Sequence, residues 1–486
     1  MLVTKDSYEY LKTLNDHSND IIYADPPYAL GSEVIIRKDG KVDYAKANDF
    51  MNKWDMPTGE YWEKWFAEAY RTLKHGGYLI MFGMDRQLLL FKYYACLSGF
   101  VEQQSLYWYF ISNFPKATDL SKMLESKLTL GTANTTEFKK LNGDLVNKRD
   151  TNGLGFAKKA NELEVRPNDY NETSPQKLTN FKPTTDLAKK YDGHKYSISP
   201  LKQTNETIMV FKKPSKTGSV LHDTLAYENG DETISVGALN IDGNRVGTEK
   251  VKTMGGDKFP NNYGTFNTCE ESINDGRYPS QTYCDSKVAE MLDRQSGISK
   301  SSNNRINKIG TPTDSPTSFG VANKEHEYSD IGGCSKILHK CDYTQEDIDL
   351  YYYEPKVSSS ERNAGCDEFD TSQCVGGGGG IGDYLDDVNS ASGKYGSEKA
   401  PSKNTHPTLK PIELNYRILK LFKTPNDQVI CYPFAGAGSE IIGGIKAGFE
   451  NWHGCELNQE YVDIANARIK YWQETMTVQT SIFDFL

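Results

Sequence analysis

No apolar run in this 486-residue chain approaches the ~20 residues that a membrane helix needs. The opening, MLVTKDSYEY, has no basic stretch followed by an apolar core, so no secretion leader is expected and the cytoplasm of a prokaryotic or phage-infected cell is the expected location. Nine cysteines are present, and no two of them stand as Cys-x-x-Cys. Cys334, Cys341, Cys366 and Cys374, with His339 among them, form a loose cluster whose spacing fits no common zinc module. Free thiols of a reducing compartment are the simpler reading, and no metal site is expected. A positive net charge is also missing. There are 56 Lys and Arg against 66 Asp and Glu, a balance of −10, which argues against binding polyanions over the whole surface. No internal repeat is visible, which excludes solenoid and propeller architectures.

The charge is uneven. Residues 111–220 carry 19 Lys and Arg against 12 Asp and Glu, so a basic stretch able to grip a polyanion sits inside an acidic chain. A solvated, lysine-rich loop region is the plain alternative. Order is uneven too. Near the start, Leu2–Thr4 reads as a strand, Tyr8, Leu11 and Leu14 recur at helical spacing, and Ile21–Ala24 reads as a buried strand. Apolar residues at 61, 62, 65, 66, 69, 70 and 73 predict an amphipathic helix, stopping at the basic and glycine stretch Lys74-His75-Gly76-Gly77. YLIMFG, then Arg86–Ser98, then SLYWYF read as strand, helix and strand. From Asn113 to Thr405 the periodicity fades. There, ETIMVFKKP (Glu206–Pro214) predicts a strand and GALNIDGNRV (Gly237–Val246) a strand and turn. Five glycines, Gly376–Gly380, cannot hold regular structure and read as a mobile flap or a linker. Order returns at Pro411 with helix IELNYRILKLF, strand QVICYPF, a glycine turn, helix Ser439–Gly448, strand NWHGCE and helix Glu460–Tyr471. Neither end has enough strands to cover both faces of a sheet. One parallel α/β sheet built from both ends, with the middle inserted, accounts for the pattern.

Two short stretches carry chemistry. In VICYPFAGAGSE a buried strand leads through Phe434 to Gly436 and Gly438, which open a helix. Glycines there admit a ligand close to the backbone, and the helix N-terminus offers unpaired N–H groups. The next strand ends in Glu456, placed to accept hydrogen bonds from ribose hydroxyls. Ile441 stands where a dinucleotide pattern has its third glycine, so an adenosine ligand without a pyrophosphate fits better. In IIYADPPYAL the strand ends in Asp25-Pro26-Pro27-Tyr28. The prolines fix φ and remove two donors, leaving carbonyl acceptors on a stiff frame. With the Asp25 carboxylate and the flat Tyr28 ring, that frame suits a planar base bearing an exocyclic amine. By itself the stretch reads equally well as a turn that ends a strand.

Together these stretches resemble the amino-group DNA methyltransferases that use S-adenosylmethionine. Asp25-Pro26-Pro27-Tyr28 is similar to their catalytic motif and Phe434-Ala435-Gly436-Ala437-Gly438 to their cofactor loop. Catalytic motif first and cofactor loop last is the order of the β group, a circular permutation. The resemblance extends over KDSYEYLKTLNDHSNDIIYADPPY, RTLKHGGYLIMFG and ISNFPKATDLSK, the last two as in phage and prophage members. It returns in SPLKQTNETIMVFKKP, GALNIDGNRV, SSSERNAG and HPTLKPIELNYRIL. It implies a circularly permuted Rossmann-like class I methyltransferase fold of the α/β class. Residues 1–114 and 406–471 would form its two halves, 115–405 an inserted target-recognition region with a core strand near 206–214, and 472–486 a tail.

The implied activity is methyl transfer to a flipped base in double-stranded DNA, with adenine N6 favoured because Asp stands first in the motif. Cytosine N4 is the alternative, and an inactive DNA- or cofactor-binding homologue is another. An enzyme acting on RNA or on a protein glutamine is a further rival. The implied catalytic residues are Asp25, Pro26, Pro27 and Tyr28. The implied cofactor residues are Asp6, Lys410, Phe434, Gly436, Gly438, Ser439 and Glu456. A homodimer and a separate restriction subunit stay open. One departure stands out: the family has Asp-Pro-Phe where this chain has Tyr432-Pro433-Phe434, so a cofactor contact passes to the Tyr432 hydroxyl or is lost.

Overall fold

The computed structural model describes residues 1–28, 33–44, 58–110, 117–132, 146–148, 179–197, 200–253, 272–284, 286–297, 299–300, 331–332, 339–340, 357, 359–369, 403–406 and 408–483. Gly376–Gly380, Cys334, Cys341 and Cys374 lie outside them. The described residues fall into two compact units, one formed between 117 and 204 and the other by the rest. In the smaller unit, helix Leu120–Leu130 packs on Asp186–Lys190. The Glu125 carboxylate is buried there and accepts from the backbone N–H groups of Thr184 and Thr185, each at 3.0 Å.

The larger unit is built on one ten-stranded sheet. Its strands are β1 (Leu2–Thr4), β2 (Asn19–Ala24), β3 (Leu73–Gly83), β4 (Leu106–Tyr109), β5 (Asn205–Lys212), β6 (Thr282–Cys284), β7 (His339–Lys340), β8 (Val429–Tyr432) and β9 (Asn451–Glu456), with Val101–Glu102 paired beside β5. The order across the sheet is β1-β9-β8-β2-β3-β5-β4-β6-β7. The pairs from β1 to β3 are parallel; β5 runs antiparallel to both neighbours, and β4, β6 and β7 are parallel to one another. Both chain ends enter the centre of one sheet: Ile430 of β8 lies against Ile21 of β2. This is the expected permuted Rossmann-like fold. The strand expected near 206–214, β5, is part of that sheet.

Why the strands read as continuous apolar runs is plain from their burial. All of β2 is buried. Alternate residues serve opposite faces, Ile21 and Tyr23 one core, Ile22 and Ala24 the other. On the second face pack α1 (Ser7–Leu11), α2 (Gly59–Thr72) and α3 (Asp85–Leu97). The first face is covered by α5 (Ile412–Phe422), α6 (Ser439–Lys446) and α7 (Gln459–Phe483), and α4 (Ser359–Asn363) lies before them in the chain. In α2 the side chains of Trp62, Trp65, Phe66 and Ala69 are fully buried, each large one worth roughly 1.5–3 kcal/mol. Thr58 caps its start by accepting from the Tyr61 N–H at 3.2 Å.

Three expectations need correction. The helix that reads as ending at Lys74–Gly77 stops at Thr72, and Leu73 already begins β3. The Lys213 ammonium donates to the carbonyls of Tyr70 (2.7 Å) and Leu73 (2.8 Å), so the helix end is capped from a distant strand rather than by glycine. Gly76 instead lets β3 pass the backbone of Ser235: its φ is 81° and a Cβ there would lie 2.6 Å from the Ser235 carbonyl oxygen. Residues 237–241 form no strand. They run along the end of α5, with the Asn240 N–H on the Leu421 carbonyl at 2.7 Å, and a single 3-10 turn, Asp242–Asn244, follows. The last helix continues past Tyr471 to Phe483. Among the described residues no helix is long and apolar enough to cross a membrane.

Candidate active site

At the junction of β8 and β2 the chain connections diverge. β8 leads through α6 to β9 on one side, and β2 leads through α2 to β3 on the other. Open α/β sheets take ligands at the carboxyl ends of the strands where connections diverge in this way. Asp25 follows the last residue of β2 and Phe434 lies two residues past β8, so the two sequence motifs, some 400 residues apart, share this edge of the sheet.

Asp25 is held by a buried charge cluster. The Lys410 ammonium donates to Asp25 Oδ2 at 2.7 Å and to the Tyr28 hydroxyl oxygen at 2.8 Å. It lies 3.4 Å from Glu206 Oε2. The Tyr28 hydroxyl has both carboxylates within reach as acceptors, Asp25 Oδ1 and Glu206 Oε2, each at 3.1 Å. The Lys410 and Glu206 side chains are 4% and 1% exposed, whereas Asp25 keeps 15%. Asp25 is thus the more exposed of the two carboxylates. Burial disfavours the Lys410 cation, but the two carboxylates outweigh burial and hold its pKa above the usual lysine value. The Tyr28 hydroxyl is pushed well above its ordinary pKa by burial and by both carboxylates. Glu440, in the first turn of α6, is pushed up to about 8 by burial and by the Asp25 charge, both of which disfavour its anion.

The turn is braced from α3. Gln87, fully buried, donates to the Pro27 carbonyl at 3.0 Å, and Arg86 reaches the Tyr28 carbonyl at 3.5 Å. Among the described residues the Pro26 carbonyl takes no donor.

The glycine turn is a tight cradle of backbone that only glycine fits. Gly436 and Gly438 have φ of 48° and 80°, and a Cβ on Gly436 would lie 3.0 Å from the His406 ring. Glu456 Oε2 accepts from the Gly436 N–H at 3.0 Å and Oε1 from the Asn458 N–H at 3.1 Å. Burial raises the pKa of this acid despite the two donors. Asp6 sits at the same edge, since Thr4 is in register with Glu456. Its Oδ1 caps α1 through the N–H groups of Tyr8 and Glu9, and its Oδ2 accepts from the Tyr61 hydroxyl at 3.1 Å. The Phe434 ring stacks on Trp65, with centroids 5.7 Å apart. Ser439 is buried behind the turn. Its hydroxyl accepts from Arg468, which also donates to the Ala437 carbonyl at 2.5 Å and to the Glu361 carbonyl at 3.2 Å. Arg468 is fully buried, so α7 fastens the glycine turn from the rear.

The Tyr432 hydroxyl does not reach the cradle. The side chain points into the core under α6 and α5, 1% exposed, and among the described residues its hydroxyl has no hydrogen-bond partner. It sits against Gly444, where a Cβ would lie 2.0 Å from it. The option of a cofactor contact through this hydroxyl is therefore withdrawn. Alternation along β8 decides it: Cys431 serves one core and Tyr432 the other.

A family profile for N6/N4 methyltransferases, described as DNA methylase, matches residues 19–467. The chain belongs to the DNA methylase family. It is similar to the type II methyltransferase M.HpaI of Haemophilus parainfluenzae, at 29% identity over 121 residues, 25% of this chain and 35% of that protein. It is also similar to M1.MboII of Moraxella bovis, at 45% identity over 65 residues, 13% of this chain and 24% of that protein. The chain thus spans about a third or less of the length of these curated relatives. The structure of the M1.HpyAVI–SAM complex aligns over 96% of this chain and 98% of that one at 11% identity, with a TM-score of 0.32, too low to support an argument from shape.

Sequence reasoning missed Glu206, Gln87, Glu440 and Arg468. Glu206 left a weak signal: an acid at the head of β5, two residues before the apolar run Ile208–Phe211. Gln87 and Arg468 looked like ordinary polar positions on amphipathic helices, and only the packing shows them buried.

Proposed function

We propose that this DNA methylase transfers a methyl group from S-adenosylmethionine to the N6 amine of an adenine flipped out of duplex DNA. The observation that carries the reading is the meeting of the Asp25–Tyr28 turn with the Gly436–Gly438 cradle at one sheet edge, beside a buried charge cluster.

The residues present fit the cofactor. Gly436 and Gly438 hold a left-handed turn where a Cβ would meet His406 and Ala465, so only bare backbone fits there. Glu456 would accept from the ribose hydroxyls with lone pairs that its two backbone donors leave over, Asp6 lies at the adenine edge, and Phe434 offers an apolar wall. Lys410 and Ser439 act from behind, Lys410 on Asp25 and Ser439 through Arg468. When bound, S-adenosylmethionine supplies a methyl group on a positively charged sulfur.

The chain's own part is positioning and charge. The target amine is buried in the DNA stack, so the base must leave it. Asp25 and the Pro26 carbonyl would accept the two amine hydrogens, turning the nitrogen lone pair toward the methyl. Tyr28, tied at its hydroxyl by Lys410 and the two carboxylates, would hold its ring still against the base. Orientation of this kind is worth roughly 7–11 kcal/mol in well-aligned systems. Adenine is favoured over cytosine because the motif opens with Asp. The basic stretch 111–220 would contact phosphates.

The test is a labelled-methyl assay on duplex DNA, followed by digestion to nucleosides. Label in N6-methyladenine is expected, and label in N4-methylcytosine would overturn the choice of base. Asp25→Ala should bind S-adenosylmethionine as the parent does and lose about 3–4 kcal/mol of transition-state stabilisation, a drop of some hundredfold or more in rate. Undiminished methylation by Asp25→Ala would refute the assignment.

A further inference from the structure

We propose that Gln87 sets the direction of the Pro26 carbonyl, and so decides which backbone oxygen of the Asp25–Tyr28 turn meets the target amine. The inference rests on the reading above and adds a residue of α3 that the motif does not contain.

Both Asp25 oxygens already have partners, Lys410 on Oδ2 at 2.7 Å and the Tyr28 hydroxyl on Oδ1 at 3.1 Å. Among the described residues the Pro26 carbonyl takes no donor, so its lone pairs are left for an amine hydrogen. Peptide planes are rigid, so the direction of this oxygen relative to the Pro27 carbonyl depends on φ and ψ of Pro27 alone. The proline ring fixes φ at about −65°. That leaves ψ as the soft angle between the two oxygens. Gln87 holds it. Its Nε2 donates to the Pro27 carbonyl at 3.0 Å from a fully buried side chain of α3. The next carbonyl of the turn is tied to the same helix, with Arg86 reaching Tyr28 at 3.5 Å.

Packing alone does not call for a glutamine at this place. Its Oε1 is buried and among the described residues has no hydrogen-bond partner. Such an oxygen costs stability that an apolar side chain of the same length would not. Leu90 and Phe91 of the same helix are buried as fully and are apolar. The amide cannot turn over to relieve the cost, because Oε1 would then face the Pro27 carbonyl, acceptor against acceptor. What glutamine has and Met lacks is the Nε2 donor. That donor also reaches the Tyr44 hydroxyl oxygen at 3.3 Å, which holds the amide at a second point. Gln87 is a positioning residue: it acts on the base through the Pro27 peptide and not by contact. With the bond gone, ψ of Pro27 relaxes and the Pro26 oxygen swings off the amine.

The experiment compares single-turnover methyl transfer to duplex DNA by the full-length chain, Gln87→Met and Gln87→Glu, over about pH 6 to 9. S-adenosylmethionine affinity, the half-saturating DNA concentration and tryptophan fluorescence are followed beside it. Met keeps the length of the side chain and removes the donor. Its maximal rate should fall about tenfold to a hundredfold, the size of effect that a misplacement of about 1 Å produces. Both affinities should stay within about threefold of the parent, and the loss should be the same at every pH. Glu gives the conservative rescue. Burial raises its pKa, and the protonated acid can donate to the Pro27 carbonyl whereas the anion only accepts. Its rate relative to the parent should therefore climb as pH falls, read only where its fluorescence matches the folded parent. A Gln87→Met rate within about twofold of the parent overturns the inference and leaves the proposed function standing. So does a loss matched by an equal loss of cofactor or DNA affinity, which is the mark of a structural role, or a Gln87→Glu ratio that does not change with pH. If Gln87→Met does not fold, the pH dependence of Gln87→Glu decides. A parent chain that transfers no methyl overturns the proposed function, and the inference falls with it.

Discussion

Replacing Lys410 by Met should make stability depend on pH in a direction that the parent does not show. Lys410 Nζ lies 2.7 Å from Asp25 and 3.4 Å from Glu206, with only 4% of the side chain exposed. Met fills nearly the same volume, so the packing loss is small. What remains is two carboxylates around one tyrosine hydroxyl and no cation between them. Breaking a buried ion pair from one side costs about 3–5 kcal/mol. Whole domains are stable by only about 5–15 kcal/mol, so the variant loses a large share of what it has. The charge can be relieved if one of the two carboxyls takes up a proton in the folded state. The unfolded chain, with free carboxyls, holds no such proton at neutral pH. The folded state then binds more protons than the unfolded state, and stability must fall as pH rises. The slope for one proton taken up is at most about 1.4 kcal/mol per pH unit. Urea unfolding followed by tryptophan fluorescence measures it, since Trp62 and Trp65 are buried in the core that contains Phe434. Glu206→Gln added to Lys410→Met removes one of the two like charges and should flatten the slope. A variant as stable as the parent at every pH would show that the cluster is not charged as described.

Other predictions follow from packing and titration. Tyr432→Phe removes a buried hydroxyl that has no partner, and should be neutral or stabilise by up to about 1 kcal/mol in thermal melts. Gly444→Ala places a Cβ on that hydroxyl and should destabilise the parent by about 1–3 kcal/mol, but cost less on the Tyr432→Phe background; equal costs on both would refute the contact. His453 takes the Tyr10 hydroxyl on Nδ1 at 2.8 Å and faces Asn19 Oδ1 through Nε2 at 2.7 Å, which suits a neutral ring. Burial lowers its pKa to about 4, so the unfolded chain takes up the proton first as pH falls below about 6.5. Its contribution, up to about 3 kcal/mol, is present above pH ~6.5 and lost on the way down to about 4. His453→Gln should flatten that acid-side slope in urea titrations, and an unchanged slope would count against it.

The sheet was legible in the sequence where strands are buried on both faces, because such strands must be apolar throughout. β2 and β8 fall where the runs IIYA and VICY stand. The helix end at Thr72 was not, because its cap is Lys213, some 140 residues further on. The same contrast holds at the site. Asp25-Pro26-Pro27-Tyr28 and the glycine turn announce themselves by residue types that few other tasks require. Glu206 gave a weaker sign, and nothing local ties it to Asp25.

The sequence by itself determined the two motifs, their permuted order and the apolar strands that bring them to one edge. It did so because backbone rigidity, glycine freedom and burial on both faces are properties of short stretches. The tertiary structure alone decided which charges meet. It put Lys410 between Asp25 and Glu206, and it turned Tyr432 away from the cradle into the core. Coulomb energy depends on distance through space and on the loss of water around the charges, and neither is written in the spacing of residues along the chain.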